Sequence, residues 1–460
     1  MTPPKAAQKF QRGQLLLQQR DIPGGVKLIR EAADAGRSSA ELQLAAAQRL
    51  HSLGRVDDAG ELYRRAIKLD HTSLNARVGL GQCLKAKGDT EAALEMFDRA
   101  VAMQPESFFA AANRAEALVD LGDAGPALEA VSSLESLTGD ANAPATIALL
   151  RARLSPKAIE PDEVIPQLEH ANASLTKLPP RMRGMLLGEL GRLQERRERY
   201  DRAFVAYAES KRVFRPPWDP DQHDARIAQQ IHAWTNAWEA VPGATDPGPE
   251  IVFILGMPRS GTTLIEQMLT QLDGIVPGGE QSAISQTVAG HETQPPMVQP
   301  LLTDPASLDQ RAVDRLAAEA ARFYALRIKR SKTDAFTDKQ PGNYFYIPLI
   351  LKLFPRARIV HCVRDAMDVC LSNFAISFAR PRPETHDLAH LGRYYLAYEQ
   401  LVEAARPLAG DRMTDAVYED VVADTETHAK RLVGFLGRPW DDRVLRFYES
   451  DRTVRTASRE

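Results

Sequence analysis

Residues 256–263, GMPRSGTT, are of the type that holds a phosphate. IVFIL (251–255) precedes them and LIEQMLTQL follows with helical periodicity. A small-residue loop between a buried strand and a helix wraps backbone N–H groups around an anion at the helix N-terminus. Gly256 and Gly261 keep the glycine spacing of the nucleotide triphosphatase loop GxxxxGK[ST], but Thr262 stands where that loop has its lysine. Such a loop suits a phosphate ester better than a magnesium-bound triphosphate. Arg259 offers a charge-assisted fork to an anionic oxygen. A purely structural strand-to-helix turn is the competing explanation.

A second element has the same form. ARIVHCV reads as another buried strand, with His361 as a core residue, and RDAMDVCLSNF as the loop and helix after it. Arg364 leaves the strand, and Ser372 follows eight residues later, about two helical turns on. Together they are suited to a second phosphate group. Alternatively, Arg364 pairs with Asp365 or Asp368 at the helix start. Two more charged residues follow short strand-like runs: Glu280 after 274–276 and Lys339 after 334–338, with 251–255 and 357–363 preceding Arg259 and Arg364. In a parallel sheet the carboxyl ends of all strands open on one edge, where ligands bind. That topology predicts that the four charged groups converge on one crevice. For Glu280 alone, a carboxylate at the N-terminus of the helix starting near QSAISQTV is the simpler alternative.

These residues resemble the sulfotransferase family, which uses 3′-phosphoadenosine-5′-phosphosulfate (PAPS) as co-substrate. PRSGTTL resembles its 5′-phosphosulfate loop and RDAMDVCLS its 3′-phosphate motif; DKQPGNY…LILKLFPRARIVHCVRD is similar to tyrosylprotein-type and bacterial repeat-fused members. The resemblance implies that Arg259, Ser260, Gly261, Thr262 and Thr263 hold the 5′-phosphosulfate and that Arg364 and Ser372 hold the 3′-phosphate. It further implies Glu280 as general base, Lys339 and Arg259 beside the transferring sulfuryl group, and Tyr418 and Ser458 as further donor contacts. No metal is implied. Two family features are missing: an arginine a few residues after Ser372, where 373–378 read NFAISF, and a basic donor contact beyond the TAS motif at 456–458.

The positioning elements fall into two kinds. From 250 onward, the chain reads as an α/β P-loop-like domain with a mostly parallel sheet. Ahead of it lies a repeat. Gly54, Gly88 and Gly122 are 34 residues apart; five after each stands Ala59, Ala93 or Ala127, nine after it Tyr63, Phe97 or Val131, and seven before it Ala47, Gly81 or Ala115. Small residues where helices cross, large ones in the groove and a glycine ending the first helix describe helical pairs. The period resembles the tetratricopeptide repeat. A degenerate copy is expected around Ile29 and Ala32, and another at 181–214, where Gly191, Ala203 and Tyr207 fall in register. The expected architecture is multidomain: an all-α tetratricopeptide-repeat superhelix over 1–215, a linker with one helix over 216–249, and the sulfotransferase-like domain over 250–460. Stacked repeats leave a concave groove that binds peptides or protein surfaces, so the acceptor or a partner protein is expected there.

Composition narrows the function. The 460 residues hold 44% hydrophobic and 26% charged residues, with 58 Lys and Arg against 61 Asp and Glu, a net charge of −3. That balance excludes a basic chain built to neutralise nucleic-acid phosphates. Three scattered cysteines, Cys83, Cys362 and Cys370, form neither a disulfide framework nor a zinc cluster. The opening MTPPKAAQKFQRGQ lacks a signal-peptide core, and no apolar run approaches the ~18–20 residues of a membrane span. The expectation is a cytoplasmic sulfotransferase acting on an acceptor hydroxyl. Protein tyrosine is the favoured acceptor, although a carbohydrate, a lipid or a small phenol would leave the same donor motifs. The alternative is a non-catalytic repeat-based scaffold with a degenerate nucleotide-binding domain. A kinase on the same fold is disfavoured by the missing loop lysine.

Overall fold

The computed structural model describes residues 3–137, 140–174, 178–213, 215–289, 305, 308–328, 334–376, 378 and 382–449. The chain divides into two compact units, Met1–Phe214 and Arg215–Glu460.

In the first unit, α1 (Pro4–Gln18) pairs with α2 (Ile22–Ala35), α3 (Ala40–Ser52) with α4 (Val56–Leu69), and α5 (Leu74–Ala86) with α6 (Thr90–Met103). Next come α7 (Phe108–Leu121) with α8 (Ala124–Ser133), α9 (Ala143–Leu154) with α10 (Pro161–Ser174), and α11 (Pro180–Arg196) with α12 (Tyr200–Val213). The repeat columns have direct physical causes. Gly81 is buried under the Phe97 ring; a Cβ there would lie 2.5 Å from that ring, and one on Gly191 would lie 2.5 Å from Tyr207. Gly54, Gly88 and Gly122 all take positive φ, at 73°, 83° and 84°. After Gly54 and Gly88 the next residue's N–H returns to the carbonyl five back: Arg55 to Leu50 and Asp89 to Leu84. This bond closes a Schellman turn.

The two outlying copies show the same turn without the glycine. Arg20, 34 residues before Gly54, has φ 67°, and Glu198, seven after Gly191, has φ 58°. Asp21 N–H bonds Leu16 O, and Arg199 N–H bonds Gln194 O. The hydrogen-bond pattern therefore imposes a left-handed residue even where the sequence supplies no glycine, at about 1–2 kcal/mol per non-glycine residue. Because Glu198 is exposed, Glu198→Gly is expected to raise stability by up to about 1 kcal/mol in chemical denaturation. A loss of stability would show that its side chain matters more than its backbone.

The second unit begins with α13 (Pro220–Asn236). Its Gln230 amide donates to Phe345 O at 2.7 Å, and Arg393 pairs with Asp221 and Asp224 on α13. The segment expected as a linker over 216–249 is thus part of the second unit. Its helix carries a buried stripe (His223, Ile227, Gln230, Ala233, Trp234) that needs a packing partner.

The sheet runs β2 (Ile275–Val276), β3 (Ala335–Asp338), β1 (Ile251–Gly256), β4 (Arg358–Val363), β5 (Met413–Val417), all parallel. Every residue of β1 is buried, as its continuous apolar run requires at the centre of a sheet covered on both faces. On one face, Val252, Ile254, Val360 and Cys362 pack with α14 (Thr262–Leu269) and α21 (Thr425–Phe435). On the other, Phe253 meets Phe354 at 6.2 Å between ring centroids, and Phe336 meets Tyr324 of α16 (Gln310–Arg327) at 5.0 Å. The remaining helices are α15 (Ala283–Ala289), α17 (Ile347–Leu353), α18 (Ala366–Ala375), α19 (Leu388–Ala409) and α20 (Tyr418–Ala423). None of the described helices is long and apolar enough to cross a membrane. The sheet order puts β2 and β3 on one side of β1, and β4 and β5 on the other. The ends of β1 and β4 therefore flank the switch point at which an open α/β sheet binds its ligand.

Candidate active site

The glycine turn after β1 is dictated by crowding. Gly256 has φ 149°, and a Cβ there would stand 2.4 Å from Cys362 O on β4. Arg259 is a non-glycine residue at φ 74° and Gly261 follows at φ 91°, capping α14. Strain of this kind, about 1–3 kcal/mol, persists only where surroundings over-determine the turn. They do so here: the Asn373 amide donates to Pro258 O at 2.8 Å, and the Tyr398 hydroxyl accepts from the Met257 backbone. Tyr398 also meets His361 Nε2, while His361 Nδ1 lies 2.8 Å from Asp415. His361 is buried in β4 as expected, and it braces the turn through Tyr398.

Arg259 and Arg364 come together from 105 residues apart. Arg259 Nε donates to Ser372 Oγ at 2.9 Å, and an Arg364 nitrogen donates to Arg259 O at 3.3 Å. The Arg364 guanidinium also pairs with Asp368 at 2.9 Å and lies 4.7 Å over the Tyr418 ring. The ion pair suspected from sequence thus exists alongside the contact with the glycine turn. Tyr418 covers Gly261 so closely that a Cβ there would lie 2.8 Å from its ring. Ser260 Oγ, Arg364 Nε and Asn373 Oδ1 are buried atoms without a hydrogen-bond partner. Thr262 and Thr263 open α14, the first buried and the second half-buried. Ser458 lies outside the described residues.

The second cluster lies at the end of β3, the neighbour of β1. Lys339 Nζ donates to Glu280 Oε1 at 2.8 Å; the lysine side chain is 1% exposed and the glutamate 42%. The loop that brings Glu280 there is laced to β3. Gly278 N–H donates to Thr337 Oγ1 (3.0 Å), Gly279 N–H to Glu266 Oε1 (2.9 Å), and Lys339 N–H to Gly279 O (2.8 Å). Thr337 in turn donates to the same Glu266 oxygen at 2.7 Å. A buried carboxylate carrying several hydrogen bonds anchors a loop more firmly than solvent-exposed contacts do. Burial drives the Cys362 thiol far above its usual range, Asp415 adds to this, and the charge of Lys339 opposes it. The lysine is therefore felt on β4, beside the glycine turn.

Residues 249–442 match the family model described as the sulfotransferase family, and residues 10–73 and 50–111 match tetratricopeptide-repeat models. The chain is thus similar to the sulfotransferase family over much of its second unit and to tetratricopeptide repeats over much of its first. An uncharacterized protein of Aquifex aeolicus (strain VF5) is 28% identical over 65% of this chain and 42% of its own length. Protein-tyrosine sulfotransferase 1 of Danio rerio is 27% identical over 43% of this chain and 56% of its own length. The chain thus spans about half the length of these curated relatives. A thermophilic TPR protein of Thermus thermophilus aligns over 37% of this chain and 90% of its own, with 24% identity and a TM-score of 0.33.

Several supports of the second unit escaped the sequence reading: Glu266, Asn373 and Tyr398. Glu266 had a signal, because a carboxylate on the buried face of α14 requires partners. Tyr398 and Asn373 had none, as each acts through a contact with a backbone group more than a hundred residues away.

Proposed function

We propose that the protein transfers a sulfuryl group from PAPS to an acceptor hydroxyl, with a protein tyrosine as acceptor and the repeat unit holding the acceptor protein. The observation that carries this reading is the junction of Arg259, Ser372 and Arg364 at the switch point. It joins a loop suited to one phosphate to a loop and helix suited to another. The residues fit a doubly anionic nucleotide. Ser260 Oγ and Arg364 Nε are buried and unpaired, and buried polar groups left unpaired are costly unless a ligand completes them.

Bound PAPS would supply an activated sulfuryl group with a bisphosphate leaving group. Arg259, Ser260 and the N–H groups of residues 261–263 would hold its 5′ side. Arg364 and Ser372 would hold its 3′-phosphate, with Tyr418 fixing the Arg364 plane. Glu280 would accept the acceptor's proton; Lys339 keeps the carboxylate oriented and places an ammonium where negative charge develops on the leaving oxygen. Its burial strengthens that effect, because water screens it poorly. The likeness to protein-tyrosine sulfotransferase 1 supports tyrosine, and the repeats support a protein partner. The described cysteines are free thiols, which supports a reducing compartment such as the cytoplasm.

The direct test is calorimetric binding of adenosine 3′,5′-bisphosphate. Binding is expected for the full chain and should weaken about 10–100-fold in Arg364→Ala, the value of a charge-assisted phosphate contact. Equal affinity in both proteins, or none in either, would overturn the donor assignment.

A further inference from the structure

The start of α18 is crowded with carboxylates. Asp365 Oδ1 accepts from the backbone N–H groups of Met367 (2.9 Å) and Asp368 (3.0 Å), and the Asp365 N–H donates to Glu419 Oε1 at 3.0 Å. These backbone donors are taken within the protein, so an anion at this helix relies on side chains. Arg364, Asp368 and Ser372 follow one another at intervals of four, which stacks them along one side of the helix. An acidic residue thus stands between the two groups assigned to the 3′-phosphate. Asp368 Oδ2 accepts from Arg364 Nη2 at 2.9 Å, and among the described residues it is the carboxylate that pairs with Arg364.

The choice of nitrogen matters. A guanidinium offers two edges for a two-point fork, Nε with Nη2 and Nη1 with Nη2. Both include the nitrogen bonded to Asp368. Nη1 donates to Arg259 O at 3.3 Å, Nε is buried without a partner, and the Tyr418 ring lies against one face of the plane. A phosphate that forks onto Nε and Nη2 would complete the buried Nε, and it would take Nη2 from Asp368. We propose that Asp368 sets how tightly the site holds its nucleotide, by competing with the 3′-phosphate for Arg364 Nη2. The inference rests on the sulfotransferase reading for the identity of the phosphate. The competition is mild, because the Asp368 side chain is 57% exposed and an exposed ion pair is worth little. Once displaced, the carboxylate turns to water and still repels the phosphate beside it. Asp368 thereby weakens the grip on donor and on spent bisphosphate alike, and recaptures Arg364 as the bisphosphate leaves.

Asp368→Asn keeps the size and removes the charge. In calorimetry on the full chain, adenosine 3′,5′-bisphosphate is expected to bind the variant about 3–10-fold more tightly, the combined effect of one exposed ion pair and one nearby like charge. Adenosine 5′-monophosphate, which lacks the 3′ group, should bind both proteins within about twofold of each other. An unchanged or weaker bisphosphate affinity overturns the proposal, and so does an equal gain for the monophosphate. Arginine labelling with phenylglyoxal, read at Arg364 by peptide mass, needs no nucleotide. The guanidinium released from Asp368 should react about 2–5-fold faster. Inorganic phosphate should protect it at about 3–10-fold lower concentration than in the unmodified protein. Equal labelling rates, or equal protecting concentrations, overturn the competition. If neither protein binds the bisphosphate while the labelling behaves as stated, the donor reading falls and Asp368 remains the carboxylate that competes with an anion for Arg364.

Discussion

Glu280→Gln is expected to lower sulfuryl transfer by about 10²–10⁴-fold, the usual worth of a positioned general base. The glutamine keeps the volume and one acceptor oxygen but takes no proton. Lys339→Ala is expected to cost about 10²–10³-fold, as for other preorganised groups that meet developing charge. It also strips Glu280 Oε1 of its partner at 2.8 Å, so the carboxylate loses its orientation along with the ammonium. Because the two side chains form one unit, the double variant should fall little below the worse single. Initial rates with labelled donor, at fixed pH and saturating acceptor, measure this. Bisphosphate binding is the companion measurement and should persist in Glu280→Gln. Glu426→Gln, on the exposed Glu426–Lys430 pair of α21, serves as the surface control. Wild-type rates in Glu280→Gln would move the base elsewhere and leave Glu280 as a helix-end carboxylate.

The second large effect is expected from one methyl group. A Cβ on Gly278 would stand 1.9 Å from the Thr337 carbonyl oxygen and 3.0 Å from Ile328 Cδ1. The first of these is backbone at the centre of a strand pairing, so the loop must move instead. Moving it breaks the bond from Gly278 to Thr337 and loosens those from Gly279 to Glu266 and from Lys339 to Gly279. It leaves the buried Glu266 carboxylate under-bonded. Overpacking plus a lost bond to a buried charge amounts to about 3 kcal/mol or more. Gly278→Ala should therefore lower the unfolding midpoint of this unit by roughly 6–12 °C. Transfer should fall about 10²-fold even in the folded fraction, since Glu280 is two residues on. Gly434→Ala in α21, where a Cβ meets nothing within 4 Å, should instead stabilise by about 0.5–1 kcal/mol. Comparable melting curves for the two substitutions would show that the loop is not clamped to β3 as described.

Much of this architecture was legible in residue order because its causes are local. The 34-residue spacing follows from helix length plus a turn closed by a left-handed residue. IVFIL and ARIVHCV announce strands covered on both faces. Parallel pairing then obliges their carboxyl ends to share an edge, the ground on which Arg259, Glu280, Lys339 and Arg364 were grouped; the structure joins Arg259 to Arg364 and Glu280 to Lys339. Both outlying copies were expected from the register, but their left-handed residues, Arg20 and Glu198, were not, because the backbone there obeys hydrogen bonding rather than side-chain preference. β5 was not anticipated: MTDAV is short, and only Ala416 is buried, so an edge strand paired on one side leaves no apolar run to read. α13 was taken for part of a linker because its partner, α19, lies more than 150 residues further along the chain.

What tertiary structure alone decided is the second tier of the site. Which oxygen Arg259 donates to, that Arg364 lies over Tyr418, that Tyr398 braces Met257 and that Lys339 meets Glu280 are all contacts between distant segments. Their worth depends on ångström-scale placement and on burial. A linear sequence encodes which groups are present and which end of a strand they follow. It does not encode the dielectric or the separation in which they meet, because both arise only when the sheet and its covering helices exclude water together.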